Sequence, residues 1–212
     1  MLSPVYAPYT LVVERAEGVR LFTDKGVFLD TYAGIGVLPL GHSHPDVVRA
    51  IREKSERYTH LSNYFLDPDA PALAESLLFM TGRKGEVYFA NSGAEAMEAA
   101  LKAVKKNREG ALVSFEGNFH GRTITTLAAT GQDVFHNYFF PFTEGFLHAE
   151  PNHLESVKAA CGKDVCAVMM ELIQGEGGVL PLDKPFVQQV AEFCRANDIL
   201  LLVDEVQTGV GR

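Results

Sequence analysis

Polar side chains that directly follow apolar runs are the residues of this sequence best suited to chemistry. In "ILLLVDEVQ", the run from Ile199 to Val203 ends at Asp204. A buried carboxylate requires a cation or strong hydrogen-bond donors beside it, because burying it alone is costly. Asp204 is therefore a candidate partner for a cationic ligand. The alternative is a structural role, as a helix cap or in an ion pair.

A second candidate follows the apolar segment "EVYFA". The next residues, Asn91, Ser92, Gly93 and Ala94, lead directly into a predicted helix. Gly93 permits close approach of the backbone, and the unpaired N–H groups of a helix start attract anions such as phosphate. The alternative is that Ser92 only caps the helix, within a tight strand-to-helix turn.

Two further segments, "FHGRT" and "QGEGG", have charged residues beside an aromatic ring or between glycines. Phe119 could cover a planar ligand while Arg122 holds its carboxylate, because guanidinium and carboxylate match in a two-point fork. Glycines around Glu176 would let its carboxylate approach a ligand or another charge. The alternatives are a core Phe119, a solvated Arg122, and a solvated Glu176 on a glycine turn.

Alternating strands and helices are expected to position these residues. The strands are predicted in "EVYFA", "ALVSF", "VCAVMME" and "ILLLVD", and helices are predicted between them in "GAEAMEAALKAVKK", "NHLESVKAA" and "PFVQQVAEFCRAN". Apolar strands without alternation predict burial on both faces, and thus a mostly parallel sheet with helices on each side. Ligands of such sheets bind beyond the carboxyl ends of the strands, which is where the four segments are expected.

The N-terminal part of the chain has a different pattern. "TLVVERAEGVRLFTDKGVFLD" predicts short strands with turns at Gly18 and at residues 24–26, a small β meander. "TYAGIGVLPLGHSH" is expected to be irregular, and a helix is expected from Pro45. We therefore expect residues 1–45 to form the meander and a glycine-rich segment, and residues 46–212 to belong to an α/β domain.

Composition restricts the classes of partner. The formal charge of −8 disfavours nonspecific binding to nucleic acid or to an anionic membrane. The 3 cysteines lack zinc spacing, so we expect reduced thiols, no metal site and a cytoplasmic protein. No apolar run is long enough to predict a membrane span.

Four segments in this order, "NSGAEAMEAA", "FHGRT", "ELIQGEGGV" and "LLLVDEVQTGVGR", resemble the class III pyridoxal-phosphate-dependent aminotransferases, and within that family the acetylornithine aminotransferase branch. "LDTYAGIGVLPLGHSHPDVVRAI" and "ATGQ" support the same match, which extends almost from residue 5 to residue 212. The resemblance implies fold type I, with a large α/β domain, pyridoxal 5'-phosphate as cofactor, and an active site at the interface of a homodimer.

The resemblance also implies roles for residues that bind the cofactor. Gly93 and Ala94 resemble the backbone donors to the cofactor phosphate, with Ser92 beside them. Phe119 resembles the aromatic ring stacked on the pyridine.

Four more residues receive roles on the same basis. Asp204 resembles the partner of the pyridine nitrogen, and Gln207 the donor to the cofactor's phenolic oxygen. Arg122 resembles the residue that binds a substrate carboxylate, and Glu176 an acidic residue that pairs with a second arginine or meets the substrate's distal amine. A carboxylate ~4 Å from the ring nitrogen would favour the ring cation by about 4 kcal/mol, or roughly three pKa units.

The activity implied by the resemblance is transfer of an amino group between N-acetylornithine and 2-oxoglutarate, in arginine biosynthesis. Relatives that act on succinylornithine, succinyldiaminopimelate, ornithine or 4-aminobutyrate share most of these motifs and stay open as alternatives. Ile35 disfavours ornithine, because ornithine-specific relatives tend to have a carboxylate-binding tyrosine there. A catalytically inactive fragment or interaction module is a further alternative.

Members of the family bind the cofactor covalently through a lysine downstream of the Asp-Glu-x-Gln segment. This chain ends at Arg212, before such a lysine and before the last strands and the C-terminal small domain of the family. We therefore expect the chain to be the N-terminal part of an aminotransferase, inactive alone and active in full-length form.

Overall fold

The computed structural model describes residues 3–162 and 164–212 of the chain. Within these ranges, no helix has both the length and the apolar character needed to cross a membrane. The described chain divides into two compact units. One runs to Glu86 and includes Gly211 and Arg212, and the other is Val87–Val210. This division does not test the boundary expected after residue 45, which stays a prediction.

The first unit begins with the predicted antiparallel meander. Its strands pair in the order β1-β2-β3, and they are β1 (Val13–Glu17), β2 (Arg20–Thr23) and β3 (Gly26–Leu29). Gly18 makes the first turn with a positive φ of 55°, a conformation in which glycine is favoured.

Three helices follow in the same unit. They are α1 (Ala33–Gly36), α2 (Pro45–Arg57) and α3 (Asp69–Thr81). α1 is a single turn in which Gly34 and Ile35 have left-handed backbone angles, in agreement with the irregular segment expected there. α2 begins at Pro45 as predicted, whereas α3 was not predicted from the sequence.

The second unit is built around a parallel sheet. Its strands lie in the order β5-β4-β6-β9, and every adjacent pair is parallel. The strands of the unit are β4 (Ala111–Phe115), β5 (Phe146–Ala149), β6 (Val165–Glu171), the short antiparallel pair β7 (Ile173–Gln174) and β8 (Leu180–Pro181), and β9 (Leu200–Asp204). The helices are α4 (Gly93–Asn107), α5 (Ile124–Ala129), α6 (Leu154–Ala160) and α7 (Lys184–Ala196).

Hydrophobic side chains cover both faces of this sheet, as the apolar strands predicted. On one face, α6 and α7 contribute Val157, Phe186 and Val190 to a cluster with strand residues such as Val113 and Met170. On the other face, α4 packs Met97, Leu101 and Val104 against Leu112, Ala167 and Met169. The alternation of strand side chains between the two faces gives a helix–sheet–helix sandwich.

The strand predicted for "EVYFA" is wrong. Residues 86–90 are not assigned to any strand. A strand requires a neighbour that supplies ladder hydrogen bonds, and no described residue pairs with this segment. Tyr88 is 75% exposed and Phe89 is 46% exposed, so the apolar character of the segment does not reflect burial in this unit.

Candidate active site

Asp204 lies at the carboxyl end of β9, where the parallel strands β6 and β9 bring their last residues side by side. The register pairs Asp204 directly with Glu171 at the end of β6. Asp204 is 5% exposed, and its carboxylate accepts two hydrogen bonds. One is from the Val206 N–H at 2.9 Å, and the other is from His120 Nδ1 at 2.8 Å. The buried carboxylate therefore has the strong donors that its burial requires.

Glu171 is the second buried carboxyl group at this edge, 4% exposed. One oxygen accepts from the Phe119 N–H at 3.0 Å, and the other lies 3.5 Å from the Gly175 N–H. Burial raises the pKa of Glu171 above its ordinary value of 4.5, with a smaller contribution from the negative charge of Asp204. Glu171 is thus bound by backbone N–H groups, whereas Asp204 has a histidine side chain as a partner.

The start of α4 combines a side-chain cap with unpaired donors. Ser92 Oγ accepts from the Glu95 N–H at 3.2 Å, so the capping role considered for Ser92 is real. The N–H groups of Gly93 and Ala94 have no assigned acceptor among residues 3–162 and 164–212. Such N–H groups at the positive end of a 15-residue helix form a favourable site for an anion such as phosphate.

Close approaches at two glycines join the segment after β9 to its neighbours. A Cβ atom on Gly93 would lie 2.6 Å from Val206 Cγ1, so the start of α4 touches the residues that follow Asp204. A Cβ atom on Gly175 would lie 2.7 Å from Gln207 Cγ, so the loop after β7 touches the same segment. Both glycines are therefore required by packing, and the α4 start and the glycine loop meet beside Asp204.

The "FHGRT" segment, which follows β4, also lies against the start of α4. It completes a cluster with Asp204, the start of α4, the loop after β7 and the segment after β9. A Cβ atom on Gly121 would lie 3.0 Å from the Ala94 Cβ, which places this segment against the start of α4. Phe119 is half-buried and packs edge-to-face on Phe135, with ring centroids 5.3 Å apart. The guanidinium of Arg122, an exposed residue, lies 5.9 Å from the Phe119 ring centroid. One segment thus presents an aromatic face and a cation side by side.

Glu176 lies on the loop after β7 and is exposed, whereas Gln207 is half-buried. Gln207 belongs to the cluster through its approach to Gly175. The structure therefore groups Ser92, Gly93, Ala94, Phe119, Asp204 and Gln207 in one unit, with Arg122 and Glu176 on exposed segments of the same unit.

Three buried polar residues of this cluster had no role assigned from the sequence. His120 hydrogen-bonds Asp204, Asn118 lies next to His120, and Gln174 lies next to Asn118. Asn118 and His120 flank Phe119 shortly after the buried strand β4. Polar residues at such a place are a sequence signal for a functional role. Gln174 is 56 residues from Asn118 in the chain, and only the fold shows that they meet.

This arrangement suits a ligand with an anionic group, a planar ring and a cationic atom. The helix start offers donors to the anion, Phe119 offers a ring face, and Asp204 offers a negative charge at the end of a rigid strand. Among the described residues, no group of three or more histidine, cysteine, aspartate or glutamate side chains could hold a metal ion. The donors at the start of α4, the Phe119 ring and the Asp204 carboxylate favour an organic ligand held by hydrogen bonds and ring contact.

Comparison with known proteins gives the same family over nearly the whole chain. The family model "Aminotransferase class-III" matches residues 2–212. The acetylornithine aminotransferase of Haemophilus ducreyi is 42% identical over 220 residues, covering 100% of this chain and 56% of the relative. The succinylornithine transaminase of Salmonella typhimurium is 42% identical over 219 residues, covering 100% of this chain and 53% of the relative.

Solved structures agree. The ornithine aminotransferase from Toxoplasma gondii superposes with a TM-score of 0.91 at 31% identity, covering 99% of this chain and 52% of that one. The N-acetylornithine aminotransferase from Stenotrophomonas maltophilia has a TM-score of 0.82 at 36% identity, covering 98% and 54%. The chain belongs to the class III aminotransferases, with the fold type I architecture of pyridoxal-phosphate enzymes, and it spans about half the length of the relatives it matches.

Members of this family use pyridoxal phosphate, and the cluster fits that cofactor. The unpaired N–H groups of Gly93 and Ala94 suit its phosphate, and the exposed face of the half-buried Phe119 suits its pyridine ring. The buried Asp204 carboxylate suits a protonated pyridine nitrogen, because an anion stabilises a nearby cation in a low-dielectric setting. The residues of this cluster therefore fit pyridoxal phosphate, the cofactor that members of the family use.

Proposed function

We propose that the full-length protein is a pyridoxal-phosphate-dependent aminotransferase that moves an amino group between N-acetylornithine and 2-oxoglutarate, in arginine biosynthesis. The observation on which this rests is the buried Asp204 carboxylate, fixed by two hydrogen bonds and next to the start of α4. Relatives named for acetylornithine support the amino donor. We further propose a cytoplasmic location, in keeping with biosynthetic relatives and the unpaired cysteines.

Asp204 and Gln207 are proposed to act on the cofactor ring. Bound pyridoxal phosphate supplies an electron sink for the bond that breaks at the substrate's α-carbon. Asp204 holds a proton on the ring nitrogen by its negative charge, and Gln207 donates to the phenolic oxygen. The strand end that supports Asp204 limits its movement, so the charge is in place before substrate binds.

Two exposed residues are proposed to choose the substrate. Arg122 binds a substrate carboxylate in a two-point fork. Both the amino donor and 2-oxoglutarate have such a carboxylate, so one arginine can serve both half-reactions. Glu176 meets either a second arginine or the distal amine region of the donor. Its glycine-flanked loop gives the carboxylate room to change partner between the two substrates.

N-succinylornithine is the second candidate donor. The succinylornithine transaminases of Salmonella match this chain at the same 42% identity as the acetylornithine aminotransferase of Haemophilus ducreyi. The two donors differ only in the acyl group on the distal nitrogen. A pocket that accepts the charged succinyl group needs a cation that an acetyl group does not need, so the acyl group separates the two candidates.

We also propose that the full-length protein is a homodimer, with no nucleic-acid or membrane partner. In the first unit, the helices α2 and α3 have no buried residue. Large apolar side chains of this unit are strongly exposed, among them Leu66, between α2 and α3, at 97% and Phe79, in α3, at 87%. Apolar surface of this kind is commonly covered by another part of the protein or by a second copy.

Steady-state kinetics with a panel of donors tests the proposed activity. Purified full-length protein, loaded with pyridoxal phosphate, is assayed for glutamate formation from 2-oxoglutarate. The donors are N-acetylornithine, N-succinylornithine, N-succinyldiaminopimelate, ornithine and 4-aminobutyrate. We expect the highest kcat/KM with N-acetylornithine. A higher value with another donor would transfer the assignment to that donor, and no turnover with any of them would favour an inactive or interaction module.

The 212-residue chain alone is proposed to be inactive. The family resemblance implies a lysine that anchors the cofactor and transfers the proton, downstream of the Asp-Glu-x-Gln segment. The same assay on a purified chain of these 212 residues is expected to give no glutamate. Turnover by this chain, free of any full-length enzyme, would show that activity does not require a lysine downstream of residue 212.

A further inference from the structure

A line of buried side-chain hydrogen bonds leads away from Asp204. His120 Nδ1 lies 2.8 Å from Asp204 Oδ2, and His120 Nε2 lies 3.2 Å from Asn118 Nδ2. Asn118 Oδ1 then lies 2.7 Å from Gln174 Nε2, which also lies 2.7 Å from the backbone oxygen of Glu116. His120, Asn118 and Gln174 are each at most 2% exposed, so water does not compete for these bonds.

The backbone oxygen of Glu116 sets the direction of the whole line. It can only accept, so the Gln174 side-chain atom facing it is the amide nitrogen, which donates. The same nitrogen donates its other hydrogen to Asn118 Oδ1. Asn118 therefore presents its own amide nitrogen, a donor, to His120 Nε2. A ring nitrogen that accepts from Asn118 has no proton, so the single ring proton is assigned to Nδ1 from the hydrogen-bond network.

Two glycine positions keep this line in place. Gly117 has a positive φ of 80°, and a Cβ atom there would lie 2.8 Å from Gln174 Oε1. A Cβ atom on Gly177 would lie 3.4 Å from Gln174 Cβ and 2.5 Å from the Gly117 backbone oxygen. The Gln174 amide is thus packed between two glycine backbones, and it has little room to rotate into the opposite orientation.

From this geometry we infer that Asn118 and Gln174 are positioning residues that hold His120 as the neutral Nδ1–H tautomer. His120 then gives Asp204 one neutral hydrogen bond and no positive charge. The negative charge of Asp204 stays available for a cation on its other side. This last step rests on the proposed function, in which the cation is the protonated pyridine nitrogen of the cofactor. An imidazolium at His120 would instead neutralise Asp204 and weaken its hold on that proton.

Asn118→Asp is the sharpest change, because it replaces only the amide nitrogen that faces His120 with an oxygen of similar size. The oxygen that accepts from Gln174 can remain in place. The new oxygen accepts, so it requires a proton on His120 Nε2, and the ring becomes doubly protonated. Asn152→Asp is the matched control: Asn152 is exposed and uses its oxygen to accept from the Asp183 N–H at 2.8 Å. It adds the same charge away from the line.

The readout is the ¹⁵N NMR spectrum of full-length protein labelled at histidine nitrogens, with the His120 signals identified by their loss in His120→Gln. In the wild type we expect a protonated Nδ1 and an unprotonated Nε2. In Asn118→Asp we expect two protonated nitrogens at the same pH, and in Asn152→Asp the wild-type pattern. A wild-type ring with its proton on Nε2, or on both nitrogens, overturns the inference. An unchanged Asn118→Asp ring overturns it as well.

Gln174→Glu gives a second variant if Asn118→Asp does not fold. It replaces the donor that faces Glu116 and Asn118 by an acceptor, so the Asn118 amide is expected to turn and His120 Nε2 to gain a proton. The wild-type spectrum decides the tautomer even if neither variant folds.

The consequence for Asp204 is tested by kinetics at full cofactor occupancy. Asn118→Asp is expected to lower kcat at least about tenfold while KM for the amino donor changes little. A doubly protonated His120 with unchanged kcat would show that the tautomer does not serve Asp204. If the wild type itself transaminates no donor, the proposed function fails, whereas the tautomer is still decided by the spectra.

Discussion

Arg122 is the residue on which the proposed recognition of both substrates depends. Arg122→Lys keeps the positive charge and removes the fork, so it separates geometry from charge. We expect kcat/KM for the amino donor and for 2-oxoglutarate to fall roughly thirty- to 150-fold, a loss of about 2–3 kcal/mol of transition-state binding. The absorption spectrum of the bound cofactor should not change, because Arg122 is proposed to bind substrate only.

The check is steady-state kinetics with each substrate varied in turn, together with the spectrum of the resting enzyme. Unchanged efficiency with a shifted spectrum would show that Arg122 serves the cofactor or the fold. Arg195→Lys, in the last turn of α7 and away from the cluster, is the matched control.

Gly93 is the residue where close packing and the proposed phosphate site coincide. Gly93→Ala places a methyl group 2.6 Å from Val206 Cγ1, so the helix start or the segment after β9 must move. Pyridoxal phosphate affinity should fall about tenfold, or ~1.4 kcal/mol, because the phosphate donors shift. Thermal stability should fall as well, because the collision costs more than the higher helix propensity of alanine returns.

The double variant Gly93→Ala with Val206→Ala removes the colliding methyl groups and is the control for this change. Cofactor titration of the apoenzyme is expected to show affinity restored toward the wild-type value. If the double variant binds as weakly as Gly93→Ala alone, the collision with Val206 is not the cause.

At the scale of elements, the paired ends of β6 and β9 make stability depend on pH through Glu171. Burial raises the folded-state pKa of Glu171 above 4.5. Its contribution to stability is therefore fully present below about 4.5 and is lost as pH rises through the raised value, because ionisation is harder in the folded state.

Glu171→Gln removes this titration. Urea unfolding of both proteins between about pH 4 and pH 8 should show the wild type losing stability relative to the variant as pH rises. A difference that is constant, or that grows in the wild type's favour with pH, would show that the pKa of Glu171 is not raised. His148 also has a pKa shifted by burial, in its case downward, and its contribution cancels in the difference.

The elements also show what the sequence could predict. "ALVSF" and "VCAVMME" form β4 and β6 with the predicted bounds, because their burial on both faces is local information. "EVYFA" is also mostly apolar and is not a strand, because a strand depends on a neighbour that composition cannot specify. β5 was not predicted: two of its four residues are exposed, so it lacks a continuous apolar run.

The sequence predicted some residues of the candidate site and not the contacts between distant ones. The positions of Gly93 at a helix start, Asp204 at a strand end and Phe119 in the segment after β4 followed from the pattern, and their roles followed from the family resemblance. The contacts of the His120–Asn118–Gln174 line could not be predicted, because Asn118 and Gln174 are 56 positions apart and His120 and Asp204 are 84 positions apart. Side-chain partners at that separation are fixed only when the sheet has formed.

At the scale of the whole molecule, the exposed apolar surface of the first unit predicts assembly. Light scattering of the full-length protein at micromolar concentration is expected to give the mass of a dimer. Leu66→Ser combined with Phe79→Ser should favour the monomer if these 97% and 87% exposed side chains lie in the dimer interface. A wild type that is monomeric at all concentrations would contradict the homodimer proposal.

The role proposed for Asp204 at the cofactor ring is tested by the turnover of Asp204→Ala in the full-length protein at full cofactor occupancy. We predict that kcat with N-acetylornithine and 2-oxoglutarate falls roughly a thousandfold, since about 4 kcal/mol of transition-state stabilisation is lost. Cofactor affinity should fall much less, because the donors at the start of α4 remain. A fall in kcat of less than about tenfold, with the cofactor still bound, would show that Asp204 is structural and that the proposed site is wrong.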